Sequence, residues 1–121
     1  MPEYVFDHIH LTSPDPLKTA EFYEKMFGAR RISARDNHDG RASAKLDLSG
    51  VTILINQPRE GQPTGLVHFG IRTGNLTDSV AAMKKSGVKF TQEPREIRPD
   101  FKMSFLEAPD RVSIELQEGQ F

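Results

Sequence analysis

Polar and apolar residues alternate from Tyr4 to Leu11, a period of two that predicts a β-strand. Leu17, Ala20, Tyr23 and Phe27 then recur at helical spacing, with Asp15 able to cap the helix, Pro16 suited to its first position and Gly28 ending it. Arg30–Arg35 and Arg41–Leu48 read as strands joined by the turn sequence Asp36-Asn37-His38-Asp39-Gly40, and Val51–Asn56 as a fourth strand. The stretch from Gln57 to Gly65 carries Pro58, Gly61, Pro63 and Gly65 and reads as a linker. The order then repeats. Leu66–Arg72 is a strand, Asn75 caps a helix ended by Gly87, and Val88–Thr91 and Lys102–Leu106 pair across a long loop before a last strand, Val112–Gln117.

Residues 4–56 and 66–118 are therefore one βαβββ unit written twice. Neither half buries the apolar face of its sheet alone. The expected architecture is α+β, a single domain over residues 1–121, in which two paired βαβββ modules share a curved mixed sheet around a cup. Overlaying the halves puts His8 on His68, and the helical stretch Asp15–Ile32 on Gly74–Thr91. Gly50–Gln57 falls on Arg111–Glu118, so Leu54 matches Glu115. Strand alternation places His8 on one face with Phe6, His10 and Thr12, His68 with Gly70 and Arg72, and Glu115 with Ser113 and Gln117. Thr52, Leu54 and Asn56 occupy the face that corresponds to Glu115. Two imidazoles and one carboxylate form a facial ligand set that leaves coordination positions open, suited to Fe(II), Mn(II), Co(II), Ni(II) or Zn(II). His8, His68 and Glu115 are the candidate metal ligands.

Composition narrows the partners. The 121 residues carry 16 basic and 17 acidic side chains for a net charge of −1, which does not supply the basic face that nucleic acid needs. There is no cysteine, so disulfides, thiolate nucleophiles and Cys-type zinc sites are excluded. No apolar run approaches ~18 residues and no basic-then-apolar leader opens the chain. A cytoplasmic protein without nucleic-acid or membrane partners is the expectation. A Gly-rich phosphate loop, a Ser-His-Asp arrangement and a nucleophile elbow are all missing from the sequence.

Three segments resemble the vicinal oxygen chelate superfamily, which holds glyoxalases, methylmalonyl-CoA epimerases, fosfomycin-resistance enzymes, extradiol dioxygenases and metal-free bleomycin-resistance proteins. They are FDHIHLTSPDPLKTAEFYEKMFG, GLVHFGIRTGNLTDSV and FLEAPDRVSIELQE, and they span nearly the whole chain. The resemblance implies paired βαβββ modules, a divalent ion in the cup and catalysis through chelation of neighbouring substrate oxygens. It matches His8 to the first-strand ligand, His68 to the second-module ligand and Glu115 to the last-strand ligand. It also implies a homodimer, since relatives of this size are commonly dimers. Departures are equally specific. Leu54 stands where lactoylglutathione lyases carry a fourth ligand, a Glu, and epimerases a Gln in that area. Phe105 stands where dioxygenases and fosfomycin enzymes tend to keep a Tyr, and Pro109-Asp110-Arg111 replaces the usual Pro-Asp-Gly turn.

His10 lies two residues past His8 on the same face, about 6.6–7 Å along the strand, so it is a candidate acid/base group or an alternative ligand. Arg72, Thr52, Asn56 and Phe105 are candidate substrate contacts, and Arg41 is a further guanidinium able to meet an anion. The segment QEPREIRPDFK (Gln92–Lys102) reads as a loop, either a lid or a solvated charge run. Phe22, Met26 and Phe27 read as core and His38 as solvated. Three functions follow: a divalent-metal glyoxalase-like isomerase, lyase or transferase acting on a small oxygen-rich substrate; an Fe(II) ring-cleaving dioxygenase; or a metal-free bleomycin-resistance-like binding protein.

Overall fold

The structure is a computed structural model that describes residues 3–36 and 41–120. Among the described residues there are eight strands and two α-helices in the order β1 (Tyr4–Thr12), α1 (Pro16–Phe27), β2 (Arg30–Arg35), β3 (Ser43–Leu48), β4 (Val51–Asn56), β5 (Gly65–Thr73), α2 (Leu76–Lys85), β6 (Lys89–Arg98), β7 (Phe101–Glu107) and β8 (Ser113–Glu118). The expected α+β class and the repeated βαβββ order are both present. The chain clusters into two compact units, His8–Val67 and a second made of the N-terminal residues to Asp7 with His68 onward, so the boundary falls inside β1. His38 and the tip of the Asp36–Gly40 turn lie outside the described residues. No helix among the described residues is long and apolar enough to cross a membrane.

In the unit His8–Val67 the strands run β2-β3-β4-β1. Ser49 and Gly50, both at positive φ (53° and 90°), join β3 to β4 in a two-residue turn whose twist matches the flanking strands. β1 lies parallel to β4 with His8 opposite Thr52, His10 opposite Leu54 and Thr12 opposite Asn56. The Asp15 side chain accepts from Lys18 N, Pro16 starts α1, and Gly28 at φ 74° closes it by donating to Glu24 O. Ala20 packs on Ala29, Ala44, Leu46, Ile53 and Ile55, so β4 sends its isoleucines to the helix and turns Thr52, Leu54 and Asn56 the other way.

The expectation that Phe22, Met26 and Phe27 form core is corrected: they are 52%, 64% and 61% exposed. The two phenyl rings instead pack along the helix surface, Phe22 edge-on to Tyr23 and Phe27. Helical spacing gives a side chain's direction, not whether another element lies beneath it.

The second unit repeats the plan with β5-β8-β7-β6. β5 lies parallel to β8, Gly70 opposite Glu115 and Arg72 opposite Gln117. Leu76, Val80, Leu106 and Leu116 are its core, under α2. Asn75 caps α2 by accepting from Asp78 N at 3.0 Å, and Glu118 Oε1 accepts from Leu76 N at 2.8 Å.

The long loop expected over Gln92–Lys102 is also corrected. β6 continues to Arg98 and a short turn through Pro99 and Asp100 leads into β7. Pro94 hides this strand because it removes a ladder donor, but β6 is the edge strand of its unit and slips register between Phe90 and Gln92, between Gln92 and Arg95 and between Glu96 and Arg98. Proline is tolerated at edges and bulges, and the exposed charges blunt an edge that would otherwise recruit another strand. Arg98 lies over the buried Phe101 ring at 5.1 Å.

Candidate metal centre

The parallel pair β5–β8 brings His68 and Glu115 together. Ile114 and Leu116 point to the helix and core, so alternation turns Glu115 to the opposite face, where it is 2% exposed rather than solvated. His68, 8% exposed, holds Nε2 3.2 Å from Glu115 Oε1. Phe105, directly opposite Glu115 on β7, sets its ring edge-on to the His68 imidazole at 5.0 Å. A phenol at this position would put a hydroxyl beside the pair; Phe105 supplies an apolar wall.

The His68–Glu115 spacing fits a common cation. Donors each about 2.0–2.2 Å from one ion and at right angles to each other stand roughly 3 Å apart. A nitrogen and a carboxylate oxygen at 3.2 Å match adjacent coordination positions, and the N/O donor set suits a borderline divalent ion.

In the other unit His8 is 1% exposed and opposite Thr52. The register agrees with the internal correspondence: His10 faces Leu54 across β1–β4 as Gly70 faces Glu115 across β5–β8. Leu54 therefore occupies the place of the carboxylate in this half, and His10 the place of Gly70. His10 Nε2 lies 2.7 Å from Asn56 Oδ1. With Oδ1 as acceptor, Nε2 carries the proton of the neutral ring and Nδ1 the lone pair. Sequence reading named both residues but not their bond, because diagonal contacts across a parallel pair depend on rotamers.

Arg72 is tied down within its own unit. Its Nε donates to Asp7 Oδ1 at 3.1 Å. It lines a cavity of about 580 Å³ with Thr73, Asn75 and Glu118, whose walls do not include His68, Phe105 or Glu115. Asp7 was not singled out by sequence reading, since its partner sits 65 positions away. Arg41 donates Nη1 to Gln57 O at 3.2 Å, an interaction at the chain surface.

A family model described as the Glyoxalase/Bleomycin resistance protein/Dioxygenase superfamily matches residues 5–116. No curated protein matches the chain. Among solved structures, the hypothetical protein BH1468 from Bacillus halodurans C-125 aligns with a TM-score of 0.78 at 20% identity, over 98% of this chain and 96% of that one. A single-residue variant of Streptomyces coelicolor methylmalonyl-CoA epimerase, in complex with 2-nitronate-propionyl-CoA, gives a TM-score of 0.70 at 24% identity, over 96% and 97%. Methylmalonyl-CoA epimerase from Mycobacterium tuberculosis gives 0.70 at 22%, over 96% and 88%. At these identities the likeness is one of fold.

Proposed function

Because this chain belongs to the Glyoxalase/Bleomycin resistance protein/Dioxygenase superfamily, we propose that it is a divalent-metal enzyme acting on a small oxygen-rich substrate as an isomerase, lyase or transferase. The observation that carries this reading is the buried His68–Glu115 pair at coordination spacing. His8 completes the ligand set in this proposal. Its support is that Phe6 and Asp7, just before it on β1, are held by residues of β5: Phe6 stacks on Phe69 at 5.5 Å and Asp7 accepts from Arg72. Phe69 follows His68 directly.

A bound Mn(II), Fe(II), Co(II), Ni(II) or Zn(II) would act as a Lewis acid toward neighbouring substrate oxygens. The protein's own share is to hold and move. Glu115 and the imidazoles of His8 and His68 would hold the ion; Phe105 walls the His68–Glu115 pair on one side. His10, oriented through Asn56, offers Nδ1 to a substrate proton, and Thr52 and Asn56 contact the substrate; Arg72, held by Asp7 at a cavity whose walls exclude the His68–Glu115 pair, is not assigned that role. A homodimer belongs to the same reading, and sedimentation equilibrium gives the mass that tests it. The similar structures include methylmalonyl-CoA epimerases, so a carbon acid next to a carbonyl is the first substrate class to try.

Deuterium wash-in at such carbons, followed by proton NMR in D2O with metal-loaded protein, tests the chemistry. Exchange in the wild type that is lost in Glu115→Ala supports the proposal. Exchange that persists in Glu115→Ala contradicts it. A second reading takes the 3.2 Å contact as a plain buried His–Glu ion pair in a metal-free binding protein, and the metal content decides between them. The ring-cleaving reading is not favoured, since Phe105 brings no hydroxyl to the pair.

A further inference from the structure

Gln117 follows Glu115 by two positions on β8, so the two side chains share a face. Its side chain is 0% exposed. Nε2 donates to Gly119 O at 3.0 Å, and this fixes the amide orientation, because an oxygen turned to that carbonyl would meet a second acceptor. Oε1 is thus the acceptor end. It is buried and receives no hydrogen bond from any described residue. Its neighbours across the strands are Met103 on β7, whose side chain has no donor, and Arg72 on β5, whose Nε donates to Asp7 and whose guanidinium makes no hydrogen bond to Oε1. A buried acceptor left without a donor destabilises a fold, whereas an apolar residue of the same size does not. The Nε2 bond to Gly119 O gives the amide nitrogen a structural role, and the buried Oε1 is left with none.

We propose that Gln117 determines substrate specificity: its Oε1 accepts a hydrogen bond from a hydroxyl or N–H of a substrate held beside Glu115. This rests on the reading of Glu115 as a metal ligand. Glutamate and glutamine side chains are of equal length and their Cα atoms stand about 6.6–7 Å apart along the strand. A donor two or three bonds from the oxygen nearest Glu115 spans that gap. The class selected is a polyoxygenated acid, with a second hydroxyl beyond its chelating pair.

The test uses Mn2+ as the metal and two acids as probes, glycerate and lactate, which differ in the 3-hydroxyl. Calorimetric titration of the Mn2+-loaded wild type is expected to give glycerate about tenfold tighter than lactate, the discrimination of one hydrogen bond. Gln117→Leu is expected to bind both acids as the wild type binds lactate. Equal binding or no binding of the two acids by the wild type overturns the proposal, as does a preference kept in Gln117→Leu. Titration with Mn2+ alone separates the two layers. Equal Mn2+ affinity in both proteins without a glycerate preference overturns the role of Gln117 and leaves the metal reading standing. No Mn2+ binding by either overturns the metal reading and the role that rests on it. In chelator-treated protein the loss of the Gly119 bond and the removal of the unsatisfied Oε1 oppose each other, so Gln117→Leu is expected to melt within about 5 °C of the wild type; a larger fall makes Gln117 a structural residue and overturns the proposal.

Discussion

Leu54→Glu tests whether the two halves share one site logic. Leu54 faces His10 in the register that sets Glu115 against Gly70, so a carboxylate at position 54 stands to His8 as Glu115 stands to His68. Leu54 is half-buried, and its loss from that face costs about 1–2 kcal/mol of transfer free energy. Placing a carboxylate there adds a desolvation term of similar size, so the chelator-treated variant should be roughly 2–3 kcal/mol less stable. That is a melting point about 10 °C lower for a chain of this length. Saturating Mn2+ or Zn2+ changes the comparison. A further anionic ligand that tightens binding ten- to hundredfold returns about 1.4–2.7 kcal/mol through linkage, half or more of the loss. Paired thermal melts, with chelator and with metal, measure both numbers. A gap between variant and wild type that is the same with and without metal refutes the reasoning.

Other substitutions test the frame that holds the site. In Gly119→Ala the new Cβ would stand 1.9 Å from Asp100 O at a backbone φ of +85°, so a loss of at least about 3 kcal/mol is expected in urea unfolding. Arg111 sits at φ 63° in the turn before β8, so Arg111→Gly should raise stability by about 1 kcal/mol in the same assay. Leu116→Ala removes a side chain that is 1% exposed in the core under α2 and should lose about 2–5 kcal/mol by chemical denaturation.

Much of this was legible in the sequence because two periodicities coincide. Alternation on β5 and β8 put His68 and Glu115 on inward faces, and the offset between halves paired their strands; the register agrees residue for residue. What stayed hidden depends on what lies beside an element. Pro94 and the charges of QEPREIRPDF look like loop chemistry, yet an edge strand accepts all of them by slipping register. Phe27 has the spacing of a core residue but ends its helix exposed. Asp7–Arg72 and His10–Asn56 join residues far apart in sequence through rotamers that no pattern encodes. Gln117 attracts attention only once its oxygen is found buried without a donor.

Metal content of untagged protein purified without chelator, measured by elemental analysis beside His8→Ala, His68→Ala and Glu115→Ala, tests the central claim most directly. The account predicts close to one divalent ion per chain in the wild type and its loss in each of the three variants. A wild type that stays empty after incubation with Mn2+, Fe2+, Co2+, Ni2+ and Zn2+, or a His8→Ala variant that keeps its ion, would contradict it.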